Sequence, residues 1–231
     1  MSRGIRGTTG KKGTMFGAYV LGPVQTNCYC VFADPGADDE KEIPALVVDP
    51  GDHGEELYDA LKDKHIRIDM ILLTHAHFEH IGGIAGILKR AGEDGIRIPV
   101  LCPEPEGPLC EDPELNCSAS MGGAGETVHP DVLLADGERI TMGDLTCEVI
   151  YTPGHTAGSS CYYFKEDGVL ISGDTLFCTS VGRCNLPTGS SATLARSVKE
   201  RLFVLPDDTI VLPGHGEETV IGYEKQHNPF L

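Results

Sequence analysis

The sequence predicts a single mixed α/β domain, of the α+β or α/β class, over residues 15–231, preceded by a flexible leader at 1–14. Three observations carry the prediction. Short apolar runs of strand length recur along the chain, divided by stretches with apolar residues at helical spacing. No change of composition marks a linker after residue 14. Four of the apolar runs end in a tight turn that presents a histidine or an aspartate.

Residues 1–14 are rich in Gly, Lys, Arg and Thr and offer no core of their own. Strands are expected at 16–21 and 27–32, joined by the turn pair Gly22-Pro23. Residues 33–42 read as an acidic loop, and 46–48 as a strand that ends at Asp49-Pro50-Gly51. Leu57 and Leu61, four apart, mark a surface helix over 55–64. The run 66–73 is the next strand. Ile81, Ile84, Ile87 and Leu88 then fall at helical spacing, with Lys89 and Arg90 suited to a helix C-terminus. Gly82, Gly83 and Gly86 weaken that helix. They read either as turn chemistry or as places where backbone passes close to a metal.

A short strand is expected at 99–101, followed by a long irregular connection, 102–129, of the kind that covers a binding site. Strands at 133–135, 139–142 and 146–151 are separated by Asp136-Gly137 and Gly143-Asp144 turns. Two more, 160–164 and 169–172, flank Glu166-Asp167-Gly168. Leu194, Val198 and Leu202 define an amphipathic helix over 193–202. A last strand at 209–212 and a last helix at 217–225 complete the chain.

The whole-chain balance narrows the function classes. Lys and Arg total 18 against 35 Asp and Glu, a net charge of −17. Such acidity argues against nucleic acid or an anionic membrane surface as partner. No apolar run is long enough to span a bilayer. The apolar piece near the N-terminus is short and glycine-broken, unlike a signal peptide, so a cytoplasmic location is expected. The nine cysteines, an odd number with no C-x-x-C pair, then read as reduced, mostly buried small side chains. Cys178 and Cys184 stand out because they flank a candidate site segment. A small molecule is the expected partner, and self-association into a homodimer is left open.

The chemistry is concentrated at 75–80, where His75, His77, Glu79 and His80 follow a buried run. Alternation along an extended segment puts His75 and His77 on one side. Imidazole nitrogen and carboxylate oxygen are the donors that hold zinc, manganese or iron. Three further runs end alike: 149–154 leads to His155, 170–173 to Asp174 and 210–214 to His215. The candidate ligands are therefore His75, His77, Glu79, His80, His155, Asp174 and His215. Seven exceed what one tetrahedral ion takes and suit two divalent ions, zinc first, with iron or manganese as alternatives. Glu79 and Asp174 are also the candidate catalytic carboxylates. Asp49 is the candidate carboxylate behind a ligand histidine, holding it in one tautomer.

This H-x-H-x-E-H motif with later His, Asp and His resembles the metallo-β-lactamase fold superfamily, over nearly everything from Phe16 onward. The resemblance implies an αββα sandwich, two mixed β-sheets face to face with helices outside. It implies one metal at His75, His77 and His155, a second at position 79, His80 and His215, and Asp174 between them. The segments 21–29, 49–51, 172–177 and 182–183 are similar to the glyoxalase II-like branch, and 112–118 to its short bacterial members. The chain stops at Leu231, so the extra helical domain of full-length glyoxalase II enzymes is not expected. The implied activity is hydrolysis of small S-acylglutathione-type thioesters by metal-activated water. The alternatives are a mono-iron persulfide dioxygenase using His75, His155 and Asp174, or a lactonase or β-lactamase-type hydrolase. Two departures stand out: relatives carry Asp at position 79, and often Asp where this chain has Asn185.

Overall fold

The structure, a computed structural model, describes residues 6–34, 42–121 and 123–231 of the chain. Among these, one sheet contains β1 (Arg6–Thr9), β2 (Thr14–Leu21), β3 (Thr26–Ala33), β4 (Ile43–Val48), β5 (Ile66–Leu72), β6 (Val100–Pro103) and β7 (Val132–Leu134), in that order. β1 to β4 pair antiparallel, and β4 to β7 pair parallel. Parallel neighbours need long crossovers. Here α1 (Gly54–Lys62) makes the first, and α2 (Phe78–Ile81) with α3 (Ile84–Glu93) makes the second.

The other sheet is built from β8 (Arg139–Met142), β9 (Leu145–Tyr151), β10 (Ser160–Phe164), β11 (Val169–Gly173), β14 (Ile210–Pro213) and β15 (Thr219–Val220). Its spatial order is β15-β14-β11-β10-β9-β8, with β11 and β14 parallel and the other pairs antiparallel. Between β11 and β14 the chain forms a small hairpin, β12 (Leu176–Phe177) and β13 (Ser180–Val181), then α5 (Ser191–Ser197). Ser190 caps α5 through its side-chain oxygen on the Thr193 N–H.

Period-two alternation sorts the strand residues into layers. Tyr29, Val31, Leu46, Val48 and Leu72 of one sheet meet Val149, Tyr162, Phe164 and Ile171 of the other in a shared core. Their neighbours Cys28, Cys30, Ala45, Val47 and Ile71 face outward and are covered by Leu57 and Leu61 of α1 and Ile84 and Ile87 of α3. On the opposite side Ile150, Cys161, Leu170 and Val211 are covered by Val198, Leu202 and Ile221. Strands buried on both faces read as near-continuous apolar runs. The arrangement is the αββα sandwich of two mixed sheets that the resemblance implied.

Several local expectations are corrected. Residues 6–14 are not a leader: β1 pairs with β2, and Asp167 accepts hydrogen bonds from the Lys12 N–H and the Thr14 hydroxyl. Residues 1–5 of the expected leader and 35–41 of the acidic loop lie outside the described residues. The helix expected from 81 onward breaks at Gly82 and Gly83 into α2 and α3. The connection 102–129 holds a 3-10 turn at Glu104–Glu106 and a short helix, α4 (Gly107–Glu111). The final helix, α6 (Ile221–His227), starts later than expected because 219–220 pair with β14.

Gly82 and Gly83 form the turn between α2 and α3, and their lack of a side chain has a further use. A Cβ on Gly82 would lie 2.6 Å from the Gly51 carbonyl oxygen, and one on Gly83 2.6 Å from that of Pro50. From the other side, a Cβ on Gly51 would lie 1.7 Å from the Glu79 carbonyl oxygen. These residues let two backbones touch.

Candidate metal centre

β9 and β11 run parallel, both being antiparallel to β10, and β14 is parallel to β11. The C-terminal ends of all three strands therefore lie along one edge, which delivers His155, Asp174 and His215 together. β5 of the facing sheet delivers His75, and His77 leads into α2, which carries Glu79 and His80. All seven expected ligand residues converge.

The donors fall into two halves. Donor atoms of His75, His77 and His155 lie within 4.8 Å of one another, as do those of Glu79, His80 and His215. His155 Nε2 sits 2.9 Å from His77 Nδ1 and 3.2 Å from His75 Nε2. Asp174 spans the halves. Its Oδ1 is 3.5 Å from His80 Nε2, and its Oδ2 is 3.7 Å from His155 Nε2 and 3.6 Å from His215 Nε2.

Hydrogen bonds from behind fix which nitrogen faces inward. Asp49, buried and held at φ 52°, accepts from the Thr74 N–H at 2.8 Å and the Thr74 hydroxyl at 2.6 Å. With its proton spent on Asp49, the Thr74 oxygen can only accept, so His75 donates to it from Nδ1 at 3.0 Å. His80 Nδ1 donates to Asp49 at 3.0 Å, and His155 Nδ1 donates to the Arg183 carbonyl at 2.7 Å. Three Nε2 atoms are thereby aimed into the cage. Asp49 thus reaches His80 directly and His75 through Thr74.

The electrostatics differ between the halves. Burial, reinforced by the facing imidazoles, pushes His75 well below the ordinary histidine range and His77 down to about 3. Burial also lowers His155. These are neutral imidazoles, the form that binds cations. Burial opposes charge on His80 as well, but Asp49 and Asp174 on either side outweigh it and raise His80 well above the ordinary range. For Asp174, burial is outweighed by His80, His155 and His215, which hold its carboxyl below the usual range.

The residues fit a metal. Glu79 Oε2, His80 Nε2 and Asp174 Oδ1 are buried and make no hydrogen bond among the described residues. Leaving a buried polar atom unpaired costs about 1–3 kcal/mol. Three such atoms in one cage of imidazole nitrogens and carboxylate oxygens are explained by a cation that all of them face. The turns also leave no spare room: a Cβ on Gly214 would lie 2.2 Å from Asp174 Oδ1.

The sequence profile of the metallo-β-lactamase superfamily matches residues 21–215. The chain belongs to the metallo-β-lactamase superfamily. It is 37% identical over 212 residues to a probable metallo-hydrolase, YqgX, of Bacillus subtilis, covering 91% of this chain and 94% of that one. It is 31% identical over 210 residues to hydroxyacylglutathione hydrolase GloC of Haemophilus influenzae, covering 90% and 93%. Among solved structures, the BLEG-1 B3 metallo-β-lactamase superposes with a TM-score of 0.82 at 42% identity, over 94% of this chain and 99% of that one. TTHA1623, solved in a di-iron-bound form, gives 0.78 at 35% identity over 93% and 99%. This superfamily member therefore carries a metal-binding site of histidines and aspartate.

Sequence reading missed several residues that shape the site. Asn27 and Tyr29 reach across from the first sheet and donate to the Pro213 carbonyl at 2.9 and 2.7 Å, pinning the turn that presents His215. They lay inside a segment noted for its family likeness, with no hint of what they touch. Thr74 and Glu106 carried no signal. Asn185, noted as a departure, accepts from Arg183 Nε at 2.9 Å and so keeps a contact without the charge. Seven cysteines are buried as expected, Cys184 is partly buried and Cys178 exposed.

Proposed function

We propose that the chain is a metal-dependent hydrolase of small thioesters of the S-acylglutathione type. The observation that carries this reading is the divided cage, with Asp174 facing both halves at 3.5–3.7 Å. The likeness to a hydroxyacylglutathione hydrolase over most of both chains supports the substrate class. His75, His77 and His155 would hold one cation and Glu79, His80 and His215 the other, with Asp174 shared. Two such cations, when bound, make water nucleophilic near neutral pH and polarise a carbonyl.

The protein's own part is preorganisation. Asp49, Thr74 and the Arg183 carbonyl hold Nδ1 of His80, His75 and His155 and so fix these rings with Nε2 turned toward the cage. A cleft of about 140 Å³ beside Glu79, lined by Leu21, Pro23, Val24 and Phe78, offers apolar surface for part of a substrate. A thioester needs no protein acid to protonate its leaving group, since a thiol ionises near pH 8.5. The cage accordingly requires no serine or cysteine nucleophile.

The test is elemental analysis of the purified protein with turnover of S-lactoylglutathione. Full metal loading without thioesterase activity would sink the reading. Nitrocefin belongs in the same assay, because a relative 42% identical is a metallo-β-lactamase. The iron held by TTHA1623 supports iron as the metal, and with iron a second reading opens, a mono-iron oxidoreductase using His75, His155 and Asp174. Iron in the protein together with oxygen uptake on glutathione persulfide would favour it.

A further inference from the structure

We propose that Glu106 is a positioning residue for the His75–His77–His155 half of the cage. The inference rests on reading that half as a metal site. Glu106 ends the 3-10 turn after β6, and its side chain is wholly buried. It does not point into the cage. Its Oε1 accepts from the N–H of Ala76, the residue between His75 and His77, at 3.0 Å. Its Oε2 accepts from the Thr156 hydroxyl and the Gly158 N–H, both at 2.9 Å, just beyond His155. One carboxylate thus straps the loop that supplies two ligands to the loop, from the other sheet, that supplies the third.

The fit is close on every side. A Cβ on Gly158 would lie 2.4 Å from the Glu106 backbone nitrogen and 2.6 Å from Oε2, so only glycine lets the loop reach the carboxylate. Thr156 is held in turn by Ser159, whose hydroxyl lies 2.6 Å from the Thr156 hydroxyl and accepts from the Thr156 N–H at 2.9 Å. Direct ties between the two loops exist, such as the Ser160 N–H on the Thr74 carbonyl at 2.9 Å. Among the described residues these direct ties reach neither Ala76 nor the turn at 156–158. Only an ionised carboxylate offers acceptors to all three donors with no donor of its own. Glutamine has one acceptor oxygen, and its NH₂ would face either the Ala76 N–H or the Thr156 and Gly158 donors.

Asp49 serves His80 and, through Thr74, His75. Glu106 is its counterpart for the spacing of His75 and His77 against His155. Removing such a carboxylate behind a ligand set typically costs 10–100-fold in metal affinity.

The experiment is a titration of Zn²⁺ into the metal-free full chain against a chromophoric chelator. A His215→Ala background removes a donor of the other half, so the reported ion is the one in the His75 half. There Glu106→Gln is expected to weaken zinc 10- to 100-fold, and Thr156→Val to weaken the same ion by a smaller factor. The d–d spectrum of Co²⁺ in that half should shift in both variants. Unchanged affinity and spectrum in Glu106→Gln would overturn the proposal. So would an equal weakening of both ions in the His215-containing chain, which would mark a general loss of fold. Should Glu106→Gln not fold, the Thr156→Val titration decides alone, and zinc binding equal to the parent overturns the strap. Absence of zinc binding in the unmutated chain would instead remove the metal reading beneath it.

Discussion

At the residue scale, the site depends on carboxylates that hold other residues in place. Asp49 hydrogen-bonds Thr74 and His80 and so sets the tautomers of two histidines. Asp49→Asn would place an N–H against one of these donors. Zinc affinity should fall roughly 10- to 100-fold in a chelator competition. Glu106 carries a pH signature as well. Burial outweighs the hydrogen bonds from Ala76, Thr156 and Gly158 and pushes its carboxyl from 4.5 to about 7. Its charge in turn helps raise the buried Cys102 thiol, after the larger effects of Cys110 and burial. The folded state therefore keeps a proton that the unfolded chain releases above pH 4.5. The stability associated with that proton is complete below pH 4.5 and is lost as pH rises to about 7, a change of about 3 kcal/mol. Urea melts of the metal-free protein should show wild type losing ground against Glu106→Gln across that window. A flat difference between the two would contradict the burial argument.

At the element scale, α2 is four residues long and carries two ligand candidates, so its placement depends on its surroundings. Those surroundings are the backbone contacts around Gly51, Gly82 and Gly83. Gly51→Ala would drive a Cβ to within 1.7 Å of the Glu79 carbonyl oxygen. A loss of about 3 kcal/mol in denaturant melts is expected, together with weaker metal binding, because α2 moves with the clash. Stability within 0.5 kcal/mol of wild type would show that the loop yields without cost. The sequence showed that glycines were concentrated here, and it could not show what they approached. The Gly51 contact lies 28 positions away in the chain and exists only once α2 and α3 dock beside the loop after β4.

At the scale of the whole molecule, the cage lies where the two sheets meet at one edge. Asn27 and Tyr29 of one sheet hold the His215 turn of the other, and Tyr162 returns the tie by donating to the Leu73 carbonyl at 2.6 Å. A cation bound in the cage would therefore join the sheets and favour the folded state. At a thousandfold excess over its dissociation constant it should contribute about 4 kcal/mol. For a chain of this size that corresponds to roughly 10 °C, so EDTA should lower the melting temperature by that amount and added Zn²⁺ restore it. A melting temperature indifferent to both would mean that the cage holds no ion.

The sequence by itself determined the donor chemistry and the scaffold that carries it. Histidine and carboxylate side chains at the ends of apolar runs are local facts, and period-two burial on both faces is written into the runs themselves. β1 was one exception, because four residues rich in Gly, Thr and Arg have no apolar signature and become a strand only by pairing with β2. Only the tertiary structure decided which atoms face the cage and what stands behind them. Glu106 lies 30 positions from Ala76 and 50 from Thr156, in a Pro-Glu-Pro-Glu-Gly stretch that reads as a solvated turn. A carboxylate's role is set by the donors around it, and those donors are brought together only when two sheets pack face to face.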